Sequence, residues 1–258
     1  MTLHKLGLAV ALSTMVAGVA NAGPIMPDLS LAPTGWTTDR YEPTTFGAVA
    51  TYEGRNGVLE IGITSAGDLA NRPPAYQSTF YNTQGRQTAV SGGAGDFLAA
   101  DLFIEELWRD QANGTVRSDM WGVMNDGSDV TAYPIIGFTN VGGTPRYRVY
   151  DSDTASGWVD LGTPVAFGNW VSFAIAFTGT SFDYSINGAL VYSDTTINGT
   201  TGFGAVIMQA YNFADASLGQ LPLADYEAHW SNAQVPEPTT LGLLGLALVA
   251  VARRARKA

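Results

Sequence analysis

From Asn169 to Phe177 the chain places Val171, Phe173, Ile175 and Phe177 at every second position, with Ser172, Ala174 and Ala176 between them. A repeat of two residues is that of a β-strand with one buried face. Phe182, Tyr184 and Ile186 then alternate with Ser181, Asp183 and Ser185, and Asn187-Gly188 leads directly into Ala189-Leu190-Val191-Tyr192. Both residues of an Asn-Gly pair tolerate positive φ, so this stretch predicts a tight type I′ hairpin. Fainter alternation predicts strands over Phe46 to Tyr52, Val58 to Ile63, Phe97 to Leu107, Val116 to Val123, Tyr133 to Phe138, Arg146 to Tyr150, Trp158 to Leu161, Gly204 to Ala210 and Tyr226 to Val235. Clusters such as Asn125-Asp126-Gly127-Ser128-Asp129 and Asn140-Val141-Gly142-Gly143 separate them as turns. Many short strands and no amphipathic helix predict an all-β chain, two antiparallel sheets stacked as a jelly-roll sandwich.

The two ends break this pattern. After His4 and Lys5 an apolar run extends from Leu6 to Val19 and closes on Ala20-Asn21-Ala22. A basic start, an apolar middle and small residues at Ala20 and Ala22 predict a secretory signal peptide over residues 1–22, cut by signal peptidase before Gly23. At the other end Val235-Pro236-Glu237-Pro238 precedes an apolar stretch from Leu241 to Ala252 and the basic tail Arg253, Arg254, Arg256, Lys257. A helix begins only after the prolines. From Thr239 to Ala252 it would span roughly 21 Å at 1.5 Å per residue, short of a hydrocarbon core about 30 Å thick. Such a stub suits a temporary anchor with its cations on the cytoplasmic side. An ordinary tail anchor is the alternative.

Pro-Glu-Pro, a short apolar span and an arginine-rich terminus together resemble the PEP-CTERM protein-sorting signal of Gram-negative bacteria, over residues 235–258. The resemblance implies an exported protein, briefly anchored in the inner membrane and processed by an exosortase on its way to the cell surface or extracellular matrix. It gives Val235, Pro236, Glu237 and Pro238 the recognition role and makes Arg253 and Arg254 the cytoplasmic stop. The intervening residues 23–234 are expected to form one sandwich domain, since no long linker, charge block or repeat divides them.

Composition narrows the partners. Between Gly23 and Pro238 eight arginines, and no lysine, face all 23 acids, a net charge of −15. Such a body repels phosphate backbones and anionic lipid, which argues against nucleic-acid binding. The absence of cysteine excludes disulfides, thiol catalysis and thiolate zinc sites.

The segment from Gly168 to Thr195, with Trp170, the alternating strand, Asp183-Tyr184-Ser185-Ile186-Asn187-Gly188 and Val191, resembles the laminin-G-like branch of the concanavalin-A-like lectin and glucanase fold. Many PEP-CTERM proteins are similar in joining such a sandwich to the sorting tail. Glucanases of this fold carry Glu-x-Asp-x-x-Glu on one strand, whereas Asp101-Leu102-Phe103-Ile104-Glu105-Glu106 lacks that spacing. On one strand Asp101 and Glu105 would stand about 13 Å apart, too far for a glycosidase pair at about 5 to 9.5 Å. Catalytic carboxylates drawn from neighbouring strands remain open. His229, the only histidine left after processing, alternates with Tyr226-Glu227-Ala228 and Trp230 and reads as a structural or surface residue without a nucleophile.

Two loops offer hard oxygen donors suited to calcium, Asn125, Asp126, Ser128, Asp129 and Asp151, Ser152, Asp153, although such clusters also simply make turns. For sugar, Trp121 and the stripe Arg146, Arg148, Tyr150 are the candidates for stacking on rings and fixing hydroxyls. The plainer reading makes Trp121 core and the stripe the wet side of a sheet. Three functions follow: a non-catalytic component of the envelope or exopolysaccharide matrix, a carbohydrate-active enzyme of the same fold, or a calcium-dependent lectin-like adhesin.

Overall fold

Fifteen strands account for most of the computed structural model, which describes residues 23–64, 73–76, 83–212 and 225–233. They are β1 (Thr37–Thr38), β2 (Thr45–Tyr52), β3 (Arg55–Ile63), β4 (Thr83–Gly92), β5 (Phe97–Ile104), β6 (Arg117–Asn125), β7 (Val130–Ala132) and β8 (Ile135–Thr139). There follow β9 (Arg146–Tyr150), β10 (Trp158–Asp160), β11 (Asn169–Phe177), β12 (Phe182–Ile186), β13 (Ala189–Asp194), β14 (Gly202–Tyr211) and β15 (Tyr226–Asn232). Ala20, Ala22, Val235, Pro236, Glu237, Pro238, the helix expected from Thr239 to Ala252, Arg253 and Arg254 lie outside the described residues. No helix among the described residues is long and apolar enough to cross a membrane.

The strands form two antiparallel sheets. The larger runs β1-β4-β14-β6-β8-β9-β10, with β7 added to β6, and the smaller runs β13-β12-β11-β5-β15-β3-β2. The alternation along β11 decides which way each side chain points: Val171, Phe173, Ile175 and Phe177 are buried in the space between the sheets. Leu98, Ala100, Leu102 and Ile104 of β5 and Met120 and Met124 of β6 meet them there. The expected hairpin closes β12 onto β13 with Asn187 at φ 51° and Gly188 at φ 78°, the positive pair that a type I′ turn requires.

Two strands end well before the expected residue, and one long strand was not expected. β5 stops at Ile104 rather than Leu107, because Glu106–Arg109 turns into a 3-10 helix that buries Trp108 against Phe138, the ring centroids being 5.4 Å apart. β15 stops at Asn232, whose side chain accepts from Leu29 N at 2.8 Å and donates to Pro27 O at 2.8 Å, tying the end of the sandwich to its start. The long strand β4 has no counterpart in the sequence reading. Apart from Val90 its inward positions are polar, and Arg86 packs its guanidinium over Phe46 and pairs with Glu42 at 3.0 Å, so apolar alternation never develops.

Candidate functional site

The outer face of the larger sheet carries the sugar candidates. Strands β6, β8, β9 and β10 present Trp121, Ile135, Tyr150 and Trp158 away from the main core, where they form a separate cluster with Val123, Ile207 and Ala205. Trp121 is therefore neither core between the sheets nor an open platform. It is 8% exposed, with the Arg40 guanidinium 5.0 Å from its ring centroid and Tyr133 edge-on at 6.3 Å. The accessible rings are others: Tyr133 is exposed, and Tyr150 and Trp158 are half-buried and meet edge to face at 5.2 Å. The strand at Trp158 was expected, but Trp158 was not among the sugar candidates, because it joins Tyr150 only through the β9–β10 register that sets the two opposite each other.

Beneath these rings lies a charged floor. The guanidinium carbons of Arg148 and Arg117 stand 3.8 Å and 4.5 Å from the Trp158 ring centroid. Gly137 must stay without a side chain, since a Cβ there would collide with Asp119 and the Ser118 carbonyl. Asp119, fully buried, pairs with Arg117 and accepts from Gln209 Nε2 at 2.9 Å. Burial, then the neighbouring Arg117 charge, pulls the Arg148 pKa down to about 9, which leaves it cationic at neutral pH. Arg146 turns outward to Asp160 at 2.7 Å. Trp121 Nε1, Arg148 Nε, Asp119 Oδ1 and Gln209 Oε1 are buried with no hydrogen-bond partner. Unpaired polar groups concentrated on one face are unusual for a purely structural surface.

The two acidic loops have different fates. Asp126 Oδ1 accepts from Ser128 N at 2.8 Å and Asp129 N at 2.9 Å, and Asn125 Oδ1 from Gly127 N at 3.2 Å, so this loop uses its oxygens to make a turn. Those bonds hold the Asp126 carboxyl below its ordinary pKa. Asp151 and Asp153 instead meet Asp194 at the end of β13, with one oxygen from each within 4.8 Å of the others, a set able to hold a hard cation. Asp194 was beyond sequence reasoning, being 43 residues from Asp151. The Tyr192 hydroxyl donates to Asp151 at 2.6 Å, and that bond, with burial, pushes its pKa up to about 12.

Burial and the charges of Asp151 and Asp153 raise the Asp194 carboxyl above its ordinary pKa. A raised folded-state value means that ionisation costs stability, fully so above that value and not at all once the pH falls below the ordinary one. In chelator, Asp194→Asn is expected to stabilise the protein at neutral pH by about 0.5 kcal/mol, or 1–2 °C in Tm. The gain should fade as the pH falls through the raised value, which melting curves across pH would check.

On the outer face of the smaller sheet the Asp101–Glu105 stretch is split between separate partners. Buried Asp101 pairs with Arg55, while Glu105 accepts from the Tyr52 hydroxyl at 2.5 Å. His229 is a buried residue rather than a surface one, 3% exposed and stacked on Tyr52 with ring centroids 3.5 Å apart. Glu60 lies directly opposite it in the β3–β15 register, and Glu227 precedes it on the same strand face. A cleft of about 190 Å³, lined by Tyr52, Glu105, Trp108, Glu227 and His229 among others, opens beside this group. Only the strand register reveals the cluster.

Two stacked antiparallel sheets define an all-β jelly-roll sandwich. Similar solved structures include one titled for endo-acting O-glycanases of human gut microbiota that initiate mucin breakdown, at 12% identity and TM-score 0.50, covering 80% of this chain and 91% of that one. A prokaryotic β-1,3-1,4-glucanase (lichenase) from a mouse hindgut metagenome is similar at 11% identity and TM-score 0.48, covering 80% and 94%. The Bacillus licheniformis β-glucanase is similar at 14% identity and TM-score 0.44, covering 78% and 94%. At these identities the likeness is one of fold. Residues 234–257 match the PEP-CTERM protein-sorting motif, which indicates an exported protein processed by an exosortase. No curated protein sequence matches the chain.

Proposed function

We propose that this chain is an exported surface or matrix protein whose single sandwich domain, residues 23–234, binds an extracellular saccharide on the outer face of the larger sheet without cleaving it. The sorting motif supports delivery through signal peptidase and exosortase to the surface of a Gram-negative cell. The observation that carries the binding role is the grouping of Tyr133, Tyr150 and Trp158 over a floor of Arg117, Arg148, Asp119 and Gln209 with polar atoms lacking partners. Sugars stack their C–H faces on such rings and pair their hydroxyls with such groups. The two carboxylates on the strands of this face, Asp119 and Asp160, are each paired to an arginine, which favours binding over glycoside hydrolysis.

Affinity electrophoresis through gels containing the producing cell's own exopolysaccharide tests this reading. The wild type should be retarded, and Tyr150→Ala and Trp158→Ala should each weaken retention about tenfold, the loss of roughly 1.4 kcal/mol of stacking. Unchanged migration of both variants would remove the site. Release of new reducing ends by the wild type would establish the enzyme instead. The intact mass of surface-extracted protein tests the delivery: loss of both ends leaves a chain that starts at Gly23 and stops near Pro238.

A further inference from the structure

The geometry points to a divalent metal site of the zinc class on the outer face of the smaller sheet, with His229 Nε2, Glu60 and Glu227 as ligands. One donor atom from each of the three lies within 4.8 Å of the others. His229 Nε2 stands 3.4 Å from Glu60 Oε2 and 4.0 Å from Glu227 Oε2. Around a tetrahedral zinc ion with bonds near 2.1 Å, neighbouring donors stand about 3.4 Å apart. The Nε2 to Glu60 spacing already meets that value. Glu227 has a side chain 59% exposed and needs only a small rotation to do so.

The second observation is the state of the imidazole itself. It is buried, its Nδ1 has no hydrogen-bond partner, and the Glu105 carboxylate Oε1 is 3.8 Å from it. A simple imidazolium held by carboxylates would draw both contacts in to about 2.7–2.9 Å, as charge-assisted hydrogen bonds do. Separations of 3.4 and 3.8 Å suit a different arrangement, in which Nε2 ligates a cation and Nδ1–H turns to Glu105 as its outer carboxylate partner. Tyr52 is placed to hold that arrangement, with its hydroxyl on Glu105 and its ring stacked on the imidazole at 10° between planes. Arg55, a cation nearby on β3, is committed to Asp101.

A nitrogen donor beside two carboxylates selects a borderline ion over calcium or magnesium, which prefer all-oxygen shells. Three protein ligands leave a fourth position open to water or an anionic group, and two of them, His229 and Glu227, line the 190 Å³ cleft. This site lies on the opposite sheet from the proposed saccharide face and does not depend on it.

Isothermal titration of Zn²⁺ into the untagged, chelator-treated full chain tests the inference. One equivalent should bind with a dissociation constant in the micromolar range or tighter, millimolar Ca²⁺ should not compete, and Co²⁺ should give a visible absorption band. Glu227→Gln should leave the metal-free Tm unchanged and weaken Zn²⁺ binding by about tenfold or more, and Glu105→Gln should weaken it about 10- to 100-fold through loss of the outer partner. His229→Gln should abolish the cobalt band. Absence of stoichiometric binding, displacement by calcium, or affinity unchanged in both Glu227→Gln and Glu105→Gln would overturn it.

Discussion

Asp119→Ala is expected to destabilise the protein by about 3–5 kcal/mol, the range for removing one partner of a buried ion pair. Asp119 has no exposed surface, and its partner Arg117 is only 8% exposed. The aspartate also accepts from Gln209, and its charge supports buried Arg148. Its removal leaves two neighbouring guanidinium groups under Trp158 with no anion between them, and their mutual repulsion adds to the unpaid desolvation. Asp119→Asn keeps the volume and one acceptor and should cost less. Urea unfolding of the two variants measures both losses. An unfolding free energy for Asp119→Ala within about 1 kcal/mol of wild type would mean that water solvates this floor and that the pair lies at an ordinary surface.

The second large effect is expected at Trp230, where alanine should cost about 3–5 kcal/mol, the usual price of emptying a buried aromatic site. Trp230 has no exposed surface and packs against Phe173 at 6.0 Å between ring centroids. Its indole also crosses the core: Nε1 donates at 2.9 Å to Ser118 Oγ on the larger sheet. Ser118 donates in turn to Gln209 O at 3.0 Å, so the variant retains a partner for the hydroxyl and the cost comes mainly from lost volume and area. Trp230→Phe should therefore recover more than half of the loss. If phenylalanine proves as damaging as alanine in thermal melts, the hydrogen bond between the sheets outweighs the packing.

The strands were legible where apolar and polar residues alternate strictly. β11 and β12 came directly from Val171 to Ile186, because each has one face in the core and one in water, and β13 came from the Asn187-Gly188 turn that precedes it. β4 was hidden because it places Arg86 inward against Phe46, where a cation on a ring replaces the apolar residue that a pattern reader seeks. The sugar candidates were half legible. Arg148 and Tyr150 sit on one face of β9 by simple alternation, whereas Trp158 and Tyr133 join them from separate strands and loops. His229 looked unremarkable in the sequence because Glu60, Glu105 and Glu227 reach it from two other strands and from two residues away.

The sequence by itself determined the hairpin, the all-β class, the sorting tail and the apolar face of each strictly alternating strand, since all of these depend on residues close together in the chain. Period-two alternation, an Asn-Gly turn and a Pro-Glu-Pro boundary are local features of backbone geometry. Only the tertiary structure decided which strands lie side by side and in what register, and so which polar residues meet. A one-residue slip between β3 and β15 would turn Glu60 to the opposite face and dissolve its contact with His229. That register follows from packing the two sheets together, because burying Leu59, Ile61, Ala228 and Trp230 in the shared core leaves Glu60, Glu227 and His229 together on the outside.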